Sequence, residues 1–234
     1  MKTNRIVEAS ILAFAIIVLG FNLKAGIDHF VDKDRRVTVK GLAEMEVPAN
    51  KVTWPIVSKE IGNDLPSLYS KINSTNAAIK RFLRAGGLTE SEISVNAPVV
   101  IDMNAERYGN NQSGYRYNIT SVITVTSSKV DLVRKILARQ GELLKDGIAI
   151  VSGDYENPIR YEYTGLNDIK GKMMDQAITN ASATAQQFAT VSRSKLSRIE
   201  SASQGQFSIE DRDSNTPYIK KVRVVTTITY SLEN

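Results

Sequence analysis

Asp211, Asp213 and Asn215 are spaced like the first three ligands of a calcium loop. Such a loop needs Gly at its sixth position for a sharp turn and a bidentate Glu at its twelfth. Here those positions are Thr216 and Val222, so a solvated hairpin tip ahead of Pro217 is expected instead of a strong cation site. His29 is the one histidine and would have to serve any Ser-His-Asp arrangement. It lies on a charged stretch beside an apolar segment, without the scaffold that fixes a triad tautomer. The acid pairs Glu142 with Asp146 and Asp28 with Asp32 have the spacing of helix-surface or tether charge, and nothing calls for their burial. No phosphate loop, dinucleotide fingerprint or nucleophile elbow occurs. No catalytic, cofactor-binding or metal-binding residue is therefore expected, and the chain reads as a non-enzyme.

The composition narrows the chemistry further. Among 234 residues there is no cysteine, which removes disulfides, thiolate metal sites, a Cys nucleophile and a lipoprotein anchor. A net charge of +5 is small for this length and is spread among acidic residues. Nucleic-acid proteins concentrate Lys and Arg on one aromatic-studded stripe. The short clusters here, Lys33 with Arg35 and Arg36, and Lys220, Lys221 and Arg223, read as a juxtamembrane patch and the flank of an edge strand. No nucleic-acid partner is expected. Sequons at Asn73, Asn118 and Asn180 matter only on a eukaryotic secretory route.

Residues 9–23, ASILAFAIIVLGFNL, are uncharged and mostly apolar, with Lys2 and Arg5 before them and Lys24 after. A cleaved signal needs small residues at its cleavage site, but Leu23 or Lys24 would occupy the minus-three position. Counted from Ile6 to Ile27, the helix is long enough to cross a hydrocarbon core of roughly 30 Å. An uncleaved signal-anchor over residues 1–27 is expected, with the positive flank in the cytoplasm and the body outside. Residues 28–35 form a charged tether, and residues 36–234 the exported body.

Within that body, strands are expected at residues 36–45, 51–61, 93–102, 115–127, 148–151, 159–163, 196–207 and 220–232. A helix capped by Asn63 or Asp64 should end at Gly86-Gly87, and one capped by Ser128 should reach Gly147. A third runs over 167–191, with Ala177, Ala181, Ala185 and Ala189 at every fourth position beside Ile169, Met173, Ile178 and Phe188. Residues 104–114 read as a polar hairpin tip. The order is ββα, ββα, ββα, ββ, which predicts an α+β fold of antiparallel sheets with helices packed on one face. Two subdomains would divide near 147–153. Trp54 and the tyrosines at 115, 117, 155, 161 and 163 are expected to pack in the core or across strands, with a binding groove as the less favoured role.

The words and their order then become familiar. The opening Val37-Thr-Val-Lys-Gly41-Leu-Ala-Glu-Met-Glu-Val47-Pro48 resembles that of the SIMPL-domain family, long catalogued as a domain of unknown function. So do the helix ending Leu83-x-x-Gly86-Gly87-Leu88 before Glu92-Ile93, and the spaced alanines before a strand at Leu196. The family's second early Gly is Ala43 here, and its Pro-Asp is Pro48-Ala49. The resemblance covers nearly all of residues 36–232. It implies an exported bacterial envelope protein without established enzymatic activity. Some relatives are immunogenic, some are linked to oxidative-stress tolerance, and one known architecture is a large hollow ring of many subunits.

The leading expectation is a single-pass inner-membrane protein, or a periplasmic one if the N-terminal segment is cleaved, whose periplasmic body is a non-enzymatic scaffold, with itself as partner in a homo-oligomer and no cofactor. The alternative is a periplasmic binding module for a peptide or small hydrophobic ligand.

Overall fold

The computed structural model describes residues 2–32, 35–105, 114–152 and 155–233. It is an α+β protein with antiparallel sheets, and its elements fall into two compact units. One comprises residues 1–45, 167–208 and 222–234, the other residues 46–166 and 209–221. The chain crosses between them inside two long strands, β1 (Arg36–Pro48) and β10 (Ile219–Glu233). Residues 147–152, where the sequence suggests a division, lie inside the second unit.

The first unit begins with helix α1, Lys2–Asp32, which extends into the residues expected to be a tether. Its segment Val7–Lys24 has a mean hydropathy of 1.8 and no burial, which fits a candidate signal or membrane anchor. The folded part of the unit lays helix α5 (Leu166–Val191) on a sheet in the order β1-β10-β8, where β8 is Lys195–Gln204. Val39, Ala181, Ala185, Ile228 and Tyr230 form its core.

The buried face of α5 is Met173 and the four alanines, all fully shielded. The bulkier Ile178 and Phe188 remain 39% and 58% exposed. The reason is β1: a Cβ on Gly41 would fall 1.9 Å from the Ala177 carbonyl oxygen, so helix and strand meet backbone to backbone. Only small side chains fit such an approach. The helix ends in a Schellman turn, Ser194 N–H to Ala189 O at 2.9 Å and Arg193 N–H to Thr190 O at 3.1 Å. Arg193 takes the left-handed position at φ 54° that glycine usually fills.

The second unit is built on β2 (Lys51–Gly62) and β5 (Tyr117–Ser127), paired antiparallel from Val52↔Ser127 to Gly62↔Tyr117. Helix α2 (Leu65–Ala85) covers one face; Asp64, not Asn63, caps it by accepting from the Ser67 N–H at 2.9 Å. Asn63 accepts from the Arg116 N–H at 2.8 Å instead. Trp54, Ile56, Ile79, Leu83, Ile123 and Val125 are among the buried core, so Trp54 is a packing residue.

Several elements differ from expectation. The strand expected over 93–102 is two, β3 (Ile93–Val95) and β4 (Val99–Asp102), both paired to β5. Pro98 has no N–H to give a ladder and interrupts the run. The helix expected to Gly147 is likewise two, α3 (Val130–Ala138) and α4 (Gly141–Lys145), and Ser127 rather than Ser128 accepts from the Lys129 N–H at 3.0 Å. Strands β6 (Ile150–Ser152) and β7 (Arg160–Glu162) each pair with β2, not with each other. A short strand β9, Ser208–Asp211, precedes β10 and pairs with it. Lys220, Lys221 and Arg223 thus lie on a central strand, not on an edge. Residues 106–113, most of the expected hairpin tip, lie outside the described residues.

Candidate functional site

The sequence candidates turn out to be engaged in local structure. Asp211 ion-pairs with Lys220, whose side chain is only 10% exposed. Asp213 holds the turn before β10: it accepts from the backbone N–H groups of Asn215 at 2.9 Å and Thr216 at 2.8 Å, and from the Thr216 hydroxyl. That hydroxyl and the Arg212 guanidinium hold its carboxyl down to about 2. Asp211 and Asp213 are thus partnered by the chain itself. Glu142 pairs with Arg139 at 2.9 Å, and Asp146 caps the end of α4. Among the described residues no group of three or more His, Asp or Glu could hold a metal ion. His29 falls in α1, and its side chain lies outside the described residues, as do those of Asp28 and Asp32.

The basic clusters are also engaged, apart from Lys33, which lies outside the described residues. Arg36 reaches Glu200 at 2.9 Å, Arg35 donates to the Ser194 hydroxyl at 3.1 Å, and Arg223 pairs with Glu44 at 3.5 Å. The polar group of greatest internal consequence is Glu92, beside β3. It accepts from the Ser127 hydroxyl at 2.6 Å and from the Thr89 N–H at 2.8 Å, and meets Lys129 at 3.1 Å. The Ser127 hydrogen bond first, then that of Thr89, lowers its carboxyl to about 2. This is a Thr89–Glu92 capping box, tied to the end of β5.

One concave surface in the second unit stands apart. Arg134, Leu137 and Ala138 line it from one face of α3; Ile159 and Tyr161 come from β7 and the residue before it. Asn215, Pro217 and Tyr218 come from the tip of the β9–β10 hairpin, and the volume is about 300 Å³. The backbone fixes each wall. Tyr161 sits opposite Val52 in the β2–β7 register, and the Ala49 N–H donates to Tyr218 O at 2.9 Å. The Arg134 guanidinium carbon stacks 3.4 Å over the Tyr218 ring, and Tyr161 meets that ring edge-on at 6.1 Å and 71°. Burial raises the Tyr161 phenol, with the Arg134 charge working against it, so the hydroxyl is a donor throughout the neutral range. Arg134 also borders an adjoining hollow of about 330 Å³ with Asp131, Lys135 and Ala138.

Of the aromatics considered from sequence, only Tyr161 belongs to this groove. Tyr155 and Tyr115 are exposed, and Tyr163 donates to Gly165 O at 2.9 Å. Arg134 and Tyr218 escaped the sequence reading because three distant segments converge here. An aromatic directly after Pro217 in an otherwise polar tip was the one available signal.

The antiparallel strands and covering helices that follow the apolar helix lie within the match to a family model. The SIMPL model, described as a protein of unknown function (DUF541), covers residues 37–230, and the chain belongs to that family. No curated protein matches the chain.

Proposed function

We propose that this chain is a membrane-anchored, extracytoplasmic scaffold of the bacterial envelope that self-associates and catalyses no reaction. The observation that carries the reading is strand β8. Among the described residues it has a paired neighbour on one side only, and eight of its ten residues are exposed. Ile199 is opposite buried Tyr230, and Ala202 opposite buried Ile228, so both face the side of the sheet that α5 covers elsewhere. Yet Ile199 is 53% exposed. An edge whose last four residues, Ser201 to Gln204, carry no charge and no proline is a template for a further strand. A second copy of the chain would satisfy both that edge and the uncovered face.

The anchor supports the cellular side of the reading. Val7–Lys24 is exposed along its length and apolar enough to span a bilayer, and Lys2 and Arg5 would hold its start in the cytoplasm. The test is the absolute mass of residues 36–234 by light scattering behind a sizing column. A discrete multimer that persists on dilution is expected. A monomer at micromolar concentration would overturn self-association by the body.

A further inference from the structure

We propose that the groove between α3, β7 and the β9–β10 tip binds a small carboxylic acid with an apolar body. Its carboxylate would sit on Arg134, and its hydrocarbon against Leu137, Ile159 and Pro217. This goes beyond self-association and does not depend on it.

The charge argument comes first. Among the described residues Arg134 makes one ion pair, to Asp131 at 3.3 Å, through Nη1 alone. That Asp131 side chain is 88% exposed, so the pair is water-screened and weak. The guanidinium carbon lies 3.4 Å over the Tyr218 ring, a contact that restrains the side chain before any ligand arrives. A carboxylate can occupy two nitrogens of such a fork at once. Lys135, on the adjoining hollow, adds a second positive charge, which disfavours a cationic ligand.

The walls settle what must be attached to that carboxylate. Leu137, Ala138, Ile159 and Pro217 offer no side-chain donor or acceptor. An inorganic anion would press its remaining oxygens against hydrocarbon, which costs free energy for every unpaired polar atom. A neutral hydrophobe would cover the guanidinium with only its weak Asp131 pair to compensate, and would give the Tyr161 hydroxyl no acceptor, at the same kind of cost. An apolar acid satisfies both surfaces. A volume of about 300 Å³ lies at the small end of ligand pockets, which favours a free acid over a peptide.

The test uses the full chain in detergent micelles, titrated calorimetrically with 3-phenylpropionate, with protein-free micelles subtracted. Saturable binding at one site per chain is expected, and the uncharged 3-phenylpropanamide should bind at least about tenfold more weakly. Arg134→Gln should weaken the acid about tenfold. Asn215→Glu, at an exposed rim position whose side chain holds nothing in the fold, should weaken it several-fold while the thermal midpoint stays put. Absence of saturable heat would overturn the proposal, as would equal binding of acid and amide. Acid binding unchanged by Asn215→Glu would place it outside the groove and overturn it too. A peptide ending in phenylalanine that bound more tightly than the acid would overturn the assignment to a free small molecule.

Discussion

Gly41 and Ala177 touch through their backbones: a methyl group at Gly41 would come within 1.9 Å of the Ala177 carbonyl oxygen and 2.8 Å of the Ala181 Cβ. Neither the helix backbone nor a fully buried alanine can yield that distance by a side-chain rotation. Gly41→Ala should therefore destabilise the first unit by roughly 3 kcal/mol. Urea unfolding followed by circular dichroism reads it. A loss below 1 kcal/mol would mean that strand and helix separate more readily than this packing implies.

The end of the same helix offers the opposite experiment. Arg193 occupies the left-handed position of a Schellman turn at φ 54° and is exposed. A side chain there costs conformational energy that glycine does not. Arg193→Gly is expected to stabilise the protein by about 0.5–1 kcal/mol, seen as a raised urea midpoint.

Glu92 links stability to acid. Its carboxyl titrates at about 2 in the folded chain, against 4.5 for the free group. The ionised form is the one its Ser127, Thr89 and Lys129 partners hold, so its contribution is complete above the unfolded value. It is lost as pH falls from about 4.5 toward 2. Glu92→Gln should cost about 1–2 kcal/mol at pH 7. That gap should shrink when both proteins are unfolded by urea at pH 3; a constant gap would refute the linkage.

Polar groups within the core should separate by whether they are partnered. Asn76 of α2 and Ser121 of β5 are buried and bond each other twice, at 2.9 and 3.1 Å. Ser121→Ala strands the Asn76 amide and should cost about 1–3 kcal/mol. Ser58 faces Ser121 across the β2–β5 ladder, and its buried Oγ finds no partner among the described residues. Ser58→Ala should be neutral or stabilising by about 1 kcal/mol, by the same urea assay.

The uncovered strand gives a variant for the oligomer. Ile199→Lys adds charge to an already half-exposed position of β8, so the monomer should stay folded within about 0.5 kcal/mol. The mass in light scattering should fall toward that of one chain. An unchanged multimer would move the interface away from β8.

How far the sequence spoke depends on distance along the chain. Helix α5 was legible because its alanines repeat every fourth residue, and the Gly86-Gly87 stop because Gly87 takes φ 100° in a Schellman turn. The α+β class followed from the ββα order. Strand partners did not. β1 and β2 are joined by Ala49 and Asn50 like a hairpin, but the N–H groups of those two residues go to Tyr218 O and Glu162 O. β1 pairs with β10 instead. Pairing is decided by which faces can be buried, and β1 must offer Gly41 to α5. The alternation of apolar residues says which side is inside without naming the neighbour. The groove was invisible for a related reason: its charge, its rings and its apolar wall are local to three separate segments.

The crossing of the chain inside β1 and β10 has a temporal consequence. β1 is synthesised long before its partner β10. At ~5–20 residues per second, the intervening stretch takes on the order of ten to thirty seconds to appear. Through that interval the first unit lacks its central strand, and β1 waits with its ladder groups unanswered. The sheet of the first unit therefore cannot close until β10 has been made. A nascent chain stalled before residue 219 has β1, β8 and β9 but lacks the strand that each of them pairs with.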